Sequence, residues 1–324
     1  MKYIENQLSK IKPAVSKIGL GTARFGSRMD IQKAFELLDV FYEKGGSVLD
    51  TARNYDEWAG DGRGKSEECI GKWLSQNGNR KEMVLCTKGG VRRSKMGERY
   101  FDLSSCSLCE EVKESLEALQ TDYIDIYLLH KDEKSRNVEE IVETMQKVCE
   151  IGKISAIGVA NWTVQRLKAA NDYARKNGYK EFQIVQTWWS LAEYTKEMWN
   201  DENTTHMTKE MYGYMMENQL LGMAYTAQCK GFFQKAIQDG IENIDEFLKK
   251  RIVTPKNIKK LRFIEEYCIK NSVHPTAIVN SYITDNLLQG IALVSCSSVE
   301  QLKEIMEWDD YILNQKVIEE LDAI

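Results

Sequence analysis

The feature that most constrains this chain is an alternation of short strand-like runs with amphipathic helix-like stretches, sustained over nearly the whole length without a break in composition. Strand-like runs fall at Ile18–Leu20, Ser47–Leu49, Met83–Thr87, Ile124–Leu129, Ala156–Val159, Ile184–Gln186, Leu221–Tyr225 and Ile291–Val294. Helical periodicity occupies the intervals, at Ile31–Lys44, Ser66–Ser75, Ser105–Leu119, Val138–Ile151, Thr163–Lys176, Thr208–Glu217, Pro255–Asn271, Pro275–Thr284, Ser298–Glu307 and Gln315–Asp322. In the first of these, Ala34, Leu37, Leu38 and Phe41 recur at the helical spacing. Eight strands each followed by a helix predict an α/β chain folded as one (β/α)8 TIM barrel domain over residues 1–324. Residues 1–15 read as a polar lead-in, a hairpin closing one end, and 226–254 as a long connection. A doubly wound open sheet is the alternative, but no G-x-G-x-x-G follows the first strand to hold a pyrophosphate.

Composition narrows the partners. A net charge of −5 with no long basic block excludes a nucleic-acid surface. No apolar run is long enough to span a bilayer, and the N-terminal residues lack the apolar core of a signal peptide. The eight cysteines are scattered, several on apolar faces, and read as reduced thiols of a cytoplasmic protein. Cys106-x-x-Cys109 has no second pair or nearby histidine to make a metal or redox site. Oligomeric state is not readable.

In a barrel the chemistry collects where the strands finish. Consecutive strands deliver Asp50 with Tyr55 just beyond it, then Lys88, His130, Asn161, Gln186 and Tyr225. Any one of these is ordinarily a solvated cap or a packing residue. Together, Asp, Tyr, Lys and His form a proton-transfer set. A phenol is a poor acid at neutral pH, with a reference pKa of about 10; an adjacent ammonium stabilises the phenolate and is expected to lower that value. A carboxylate keeps the ammonium charged, and an imidazole opposite orients a carbonyl oxygen or relays a proton. Such a set suits protonating an oxygen that gains negative charge, as in carbonyl reduction. Three histidines are too few and too spread for a metal-dependent hydrolase, so no metal is expected.

With these residues in place, the chain resembles the aldo-keto reductase superfamily. The matching motifs are GLGT (19–22), LDTA…Y (49–55), KSEECIG (65–71), CTKGG (86–90), YIDIYLLH (123–130), GKISAIGVANW (152–162) and AYTAQCKGFF (224–233), in order along the chain. The resemblance implies Asp50, Tyr55, Lys88 and His130 as the catalytic tetrad, with Tyr55 the general acid, and a nicotinamide cofactor, NAD(P)(H). It implies that Asn161 and Gln186 hold the carboxamide and that Tyr225 stacks on the ring, with Gly21, Thr22 and Asp50 near the ribose. Thr226, Gln228, Lys230 and Gly231 would wrap the pyrophosphate, and Ser295, Ser297, Ser298, Gln301 and Glu304 would meet the adenosine half. Ser295 and Gln301 stand where NADPH-preferring relatives carry cations, so relaxed or NADH-leaning use is expected.

Phe25, Trp58, Arg92, Trp162, Trp189 and Tyr194 are the candidate substrate lining. Aromatic faces beside Arg53, Arg92 and Glu57 suit a sugar-like aldehyde or ketone, with Arg53 and Asn54 facing it. The rival reading is a cofactor-binding regulatory barrel with little turnover, as in potassium-channel β subunits.

Overall fold

A computed structural model of the chain describes residues 1–4, 15–57, 62–94, 96–193 and 201–324. Eight parallel strands close into a barrel: β1 (Ile18–Gly21), β2 (Val48–Asp50), β3 (Val84–Gly89), β6 (Ile126–Leu129), β7 (Ala156–Ala160), β8 (Ile184–Trp188), β9 (Leu221–Tyr225) and β10 (Gly290–Val294). Their order is β1-β10-β9-β8-β7-β6-β3-β2, with β1 beside β10 in the register Ile18↔Ala292. Two short strands, β4 (Val91–Arg93) and β5 (Arg99–Phe101), pair antiparallel after β3 as a hairpin outside the barrel.

The helices α1 (Ile31–Glu43), α2 (Lys65–Asn77), α3 (Ser105–Ala118), α4 (Val138–Gly152), α5 (Val164–Asn177) and α6 (Lys209–Glu217) stand where periodicity places them. Thr163 and Thr208 are N-caps of α5 and α6, their side chains accepting from Arg166 N and Met211 N. The connection after β9 is not irregular: it holds α7 (Phe232–Asp239) and α8 (Glu246–Ile252). The chain then runs through α9 (Pro255–Asn271), α10 (Pro275–Thr284), α11 (Val299–Glu307) and α12 (Gln315–Ala323). Proline at the first turn of α9 and of α10 costs no hydrogen bond there.

Side chains alternate across the strands, so the barrel carries two cores. One core, between sheet and helices, takes Leu49, Leu85, Tyr127 and Val185. The other fills the barrel with Val48, Val84, Cys86, Ile126, Leu128, Ile184, Leu221, Met223, Ile291 and Leu293. Ile4 and Val15 belong to this inner core. Ile4 N donates to Val15 O at 2.8 Å and Tyr3 bridges Ser16 antiparallel, the start and end of the expected hairpin. The residues between them lie outside the described set.

Candidate active site

The same alternation that fills the barrel decides what ends each strand. Val48 points inward, so Asp50 does too; Val84 and Cys86 lead to Lys88, Ile126 and Leu128 to His130, Ile184 to Gln186, and Leu221 and Met223 to Tyr225. The polar residues are the last inward positions of columns that are apolar below. An ionisable side chain is tolerated there because its partners arrive from neighbouring strands.

Lys88, with no exposed surface, is the hub. Its Nζ donates to Asp50 Oδ2 (2.9 Å), to the Tyr55 hydroxyl (2.7 Å) and to the carbonyl of Thr51 (2.7 Å). The Tyr55 hydroxyl donates in turn to Asp50 Oδ2 at 3.0 Å. Three donors of an ammonium thus meet three acceptors, which offsets the cost of burying it. His130 lies across from the phenol, the ring centroids 5.8 Å apart and nearly perpendicular. The four tetrad candidates are therefore brought together.

Their electrostatics differ from the expected pattern in one respect. The phenol of Tyr55 is pushed well above its ordinary value, first by burial and then by the charge and hydrogen bond of Asp50. Proximity to Lys88 does not reverse this, so Tyr55 holds its proton at neutral pH. His130 is held well below the ordinary histidine value by burial and by Lys88, Lys131 and Arg99, and is a neutral imidazole.

The amides arrive as expected but are engaged. Gln186 Nε2 donates to Asp50 Oδ1 at 2.8 Å. Asn161, at a positive φ of 62°, donates from Nδ2 to His130 O (3.3 Å), while its Oδ1 accepts from the Tyr225 hydroxyl (2.8 Å) and Thr205 N (3.2 Å). Thr22 is buried, and its hydroxyl bonds to Asp50 O and Ser66 Oγ. Ser295 Oγ lies 3.5 Å from Gly21 O. Ser298 caps α11, and Gln301 folds back so that Oε1 accepts from the amide and hydroxyl of Ser297. Glu304 accepts from Thr276.

The donor set beyond β9 suits a diphosphate. Thr226, Cys229, Lys230 and Gly231 all take positive φ, a tight loop after Tyr225 that contains Gln228. Lys230 is lowered by burial and then by the nearby cations Arg251 and Arg24, with Asp245 opposing. Lys230 Nζ stands 4.5 Å from the centroid of the Phe247 ring and the Arg251 guanidinium 3.8 Å from it, so the loop after β9 and α8 bring two cations to one ring.

The candidate substrate residues among the described ones are mostly packed or paired. Trp162 is 1% exposed and packs outward against Phe182 with Arg166 over its ring. Trp189 also faces outward: a Cβ at Gly222 or Gly290 would meet its ring. It lines a cavity of about 610 Å³ outside the barrel wall with Tyr212, Tyr282 and Lys260. Phe25 is buried in the outer core. Arg92 turns to α3, paired with Glu110 at 2.8 Å. Arg53 is bound to Glu67 and Glu114, and Glu57 to Arg63. Trp58 and Tyr194 lie outside the described residues. Asn54, read as a substrate-facing loop residue, instead holds His130: its Oδ1 lies 2.7 Å from Nδ1. No spacing in the chain signals that pair.

Residues 17–324 match the sequence model of the Aldo/keto reductase family, and the chain belongs to that family, whose members are oxidoreductases. It is 28% identical to norsolorinic acid reductase of Aspergillus flavus, over 95% of this chain and 77% of that one. It is 27% identical to a putative aryl-alcohol dehydrogenase of Saccharomyces cerevisiae (95% and 81%) and 26% identical to an aldo-keto reductase of Bacillus subtilis (95% and 89%). Among the described residues, no helix is long and apolar enough to cross a membrane.

Proposed function

We propose that this chain is an NAD(P)(H)-dependent oxidoreductase that interconverts an aromatic aldehyde or ketone and its alcohol. The observation that carries the reading is the buried triangle of Lys88, Tyr55 and Asp50 with His130 facing the phenol. A bound nicotinamide would supply or accept the hydride at the carbonyl carbon. Tyr55 presents a proton at its hydroxyl oxygen and gives it to the substrate oxygen as charge develops there. Lys88 stabilises the resulting phenolate, and Asp50 keeps Lys88 charged. In the oxidative direction the same hydroxyl oxygen takes the proton. Asn161 and Gln186 would hold the carboxamide after exchanging their internal partners, Tyr225 would face the ring, and Lys230 with Arg24 and Arg251 would meet the diphosphate.

The aromatic class follows the names of the relatives. The sugar-like alternative loses its support because Arg53, Arg92 and Glu57 are committed to ion pairs and Trp162 and Trp189 face outward. The test is consumption of NADH and NADPH with a panel of aromatic aldehydes, aromatic ketones and sugars, for wild type and Tyr55→Phe. The variant is expected to lose about a hundredfold or more in kcat. Equal rates would remove Tyr55 as the acid, and turnover of sugars alone would reverse the substrate class. Cofactor bound with no turnover on any substrate would favour the regulatory barrel.

Cofactor preference rests on charge. Ser295 and Gln301 are neutral, so a 2′-phosphate gains no charge-assisted bond from either. Titration is expected to give NADH affinity equal to or tighter than that of NADPH; NADPH binding tenfold tighter would refute it.

A further inference from the structure

On the outer side of β3 lies a carboxylate that the proton transfer does not use. Glu67, in the first turn of α2, has no exposed surface. Its two oxygens are divided between two elements. Oε1 accepts from the Thr87 hydroxyl at 2.6 Å, and Oε2 accepts from Arg53 Nη1 at 2.9 Å. Thr87 is the outward residue directly before Lys88 in β3, and Arg53 stands two residues before Tyr55 on the loop after β2. The backbone of Arg53 is tied as well: its N donates to Lys88 O (3.0 Å), and its O accepts from Gly64 N (2.9 Å). Gly64, at φ 79°, leaves room for the guanidinium, because a Cβ there would strike Nη1.

We propose that Glu67 is a positioning residue that holds the Tyr55 hydroxyl on Lys88 by clamping the loop of one to the strand of the other. A buried carboxylate that loses its charged partner is strongly unfavourable. The loop therefore cannot carry Arg53 away from β3 without leaving Glu67 with a single hydroxyl donor. That penalty keeps the 2.7 Å contact between Lys88 Nζ and the phenol oxygen in place before any ligand arrives. Glu114, which also binds Arg53, is 37% exposed, and water can take the place of that pair. Ser66, one residue earlier, repeats the arrangement with hydroxyls: its Oγ lies 2.8 Å from Thr22 Oγ1 and 2.8 Å from Thr51 Oγ1. The first turn of α2 thus gathers the residues just past β1 and β2 and the end of β3. The consequence for rate rests on the oxidoreductase reading above; the clamp on the Lys88–Tyr55 spacing does not.

Crystal structures of the cofactor-free wild type, Glu67→Leu and Glu67→Gln read the clamp directly. In Glu67→Leu the distance from Lys88 Nζ to the Tyr55 hydroxyl is expected to pass the hydrogen-bond limit of about 3.2 Å. Glu67→Gln is expected to keep the wild-type spacing, since its amide still accepts from Arg53 and donates to Thr87. On a substrate that wild type turns over, Glu67→Leu should lower kcat about tenfold to a hundredfold with KM and cofactor affinity little changed, and Glu67→Gln should recover most of the loss. Arg53→Met added to Glu67→Leu should cost no further activity, because both cut the same link. Where Glu67→Leu fails to fold, Arg53→Met combined with Glu67→Gln makes the cut without stranding a charge. Wild-type spacing in the cut variant would overturn the proposal. So would additive losses from Arg53→Met and Glu67→Leu. A protein inactive on every carbonyl and alcohol, but with the spacing changed as stated, would refute the enzymatic reading and leave the clamp intact.

Discussion

At the scale of single residues, the site is a set of proton holders tuned in opposite senses by burial. Tyr55 keeps its proton into alkaline solution and His130 refuses one in acid. The His130 shift has a consequence for stability. In the unfolded chain a histidine takes up a proton near pH 6.5. The folded protein resists that uptake, so below this pH the unfolded state binds more protons than the native one. The His130 contribution is therefore complete above about pH 6.5 and is lost as pH falls toward its folded value. Urea unfolding at about pH 7.5 and pH 5.5 is expected to show wild type losing about 1 kcal/mol more than His130→Gln over that interval. Parallel losses in the two proteins would show that His130 takes its proton as readily folded as unfolded.

At the scale of elements, period explains both what was legible and what was not. Alternation along strands that finish on a charged or polar residue shows which residue ends each inward column, and Asp50, Lys88, His130 and Gln186 could be read this way. The same rule misplaces Trp162. Ala156 faces inward and Ile157 and Val159 outward, so period two puts Trp162 inward. The positive φ of Asn161 breaks the alternation at the strand end, and Trp162 packs outward against Phe182. Composition alone could not separate the two faces. The β4–β5 hairpin escaped because three-residue strands are too short to show alternation. The helices α7 and α8 escaped because, at eight and seven residues, they complete barely two turns each. Gly71 illustrates a signal that was present and has a physical reading. A glycine inside a helix costs about 1 kcal/mol relative to alanine, so its presence in α2 implies a close approach. A Cβ there would collide with the carbonyl oxygen of Ala118 at the end of α3. Backbone cannot move aside as a side chain can. Gly71→Ala is expected to destabilise by about 1–3 kcal/mol despite better helix propensity; a gain in urea resistance would mean that α2 and α3 do not touch there.

At the scale of the whole molecule, the barrel closes only when the first strand meets the last. β1 and β10 join segments some 270 residues apart, a non-local pairing whose chain-closure cost precedes any reward. Lys2 is the side chain that ties this seam together. Its Nζ lies 2.9 Å from each oxygen of Asp285, 2.7 Å from Tyr311 O and 3.2 Å from Ser281 Oγ. Burial lowers its pKa, with Asp285 opposing that effect. Asp285 also accepts from Leu313 N at 2.8 Å, so one carboxylate links the chain start, the end of α10 and the approach to α12. Such a pair contributes little beyond an apolar replacement but costs much when half of it is removed. Lys2→Met should leave Asp285 buried with a single donor and lower stability by about 3 kcal/mol. Lys2→Met combined with Asp285→Asn should recover a good part of that loss, because the carboxamide brings no unpaired charge. A double variant no more stable than Lys2→Met would locate the seam's strength in the geometry of the lysine's four contacts rather than in charge compensation.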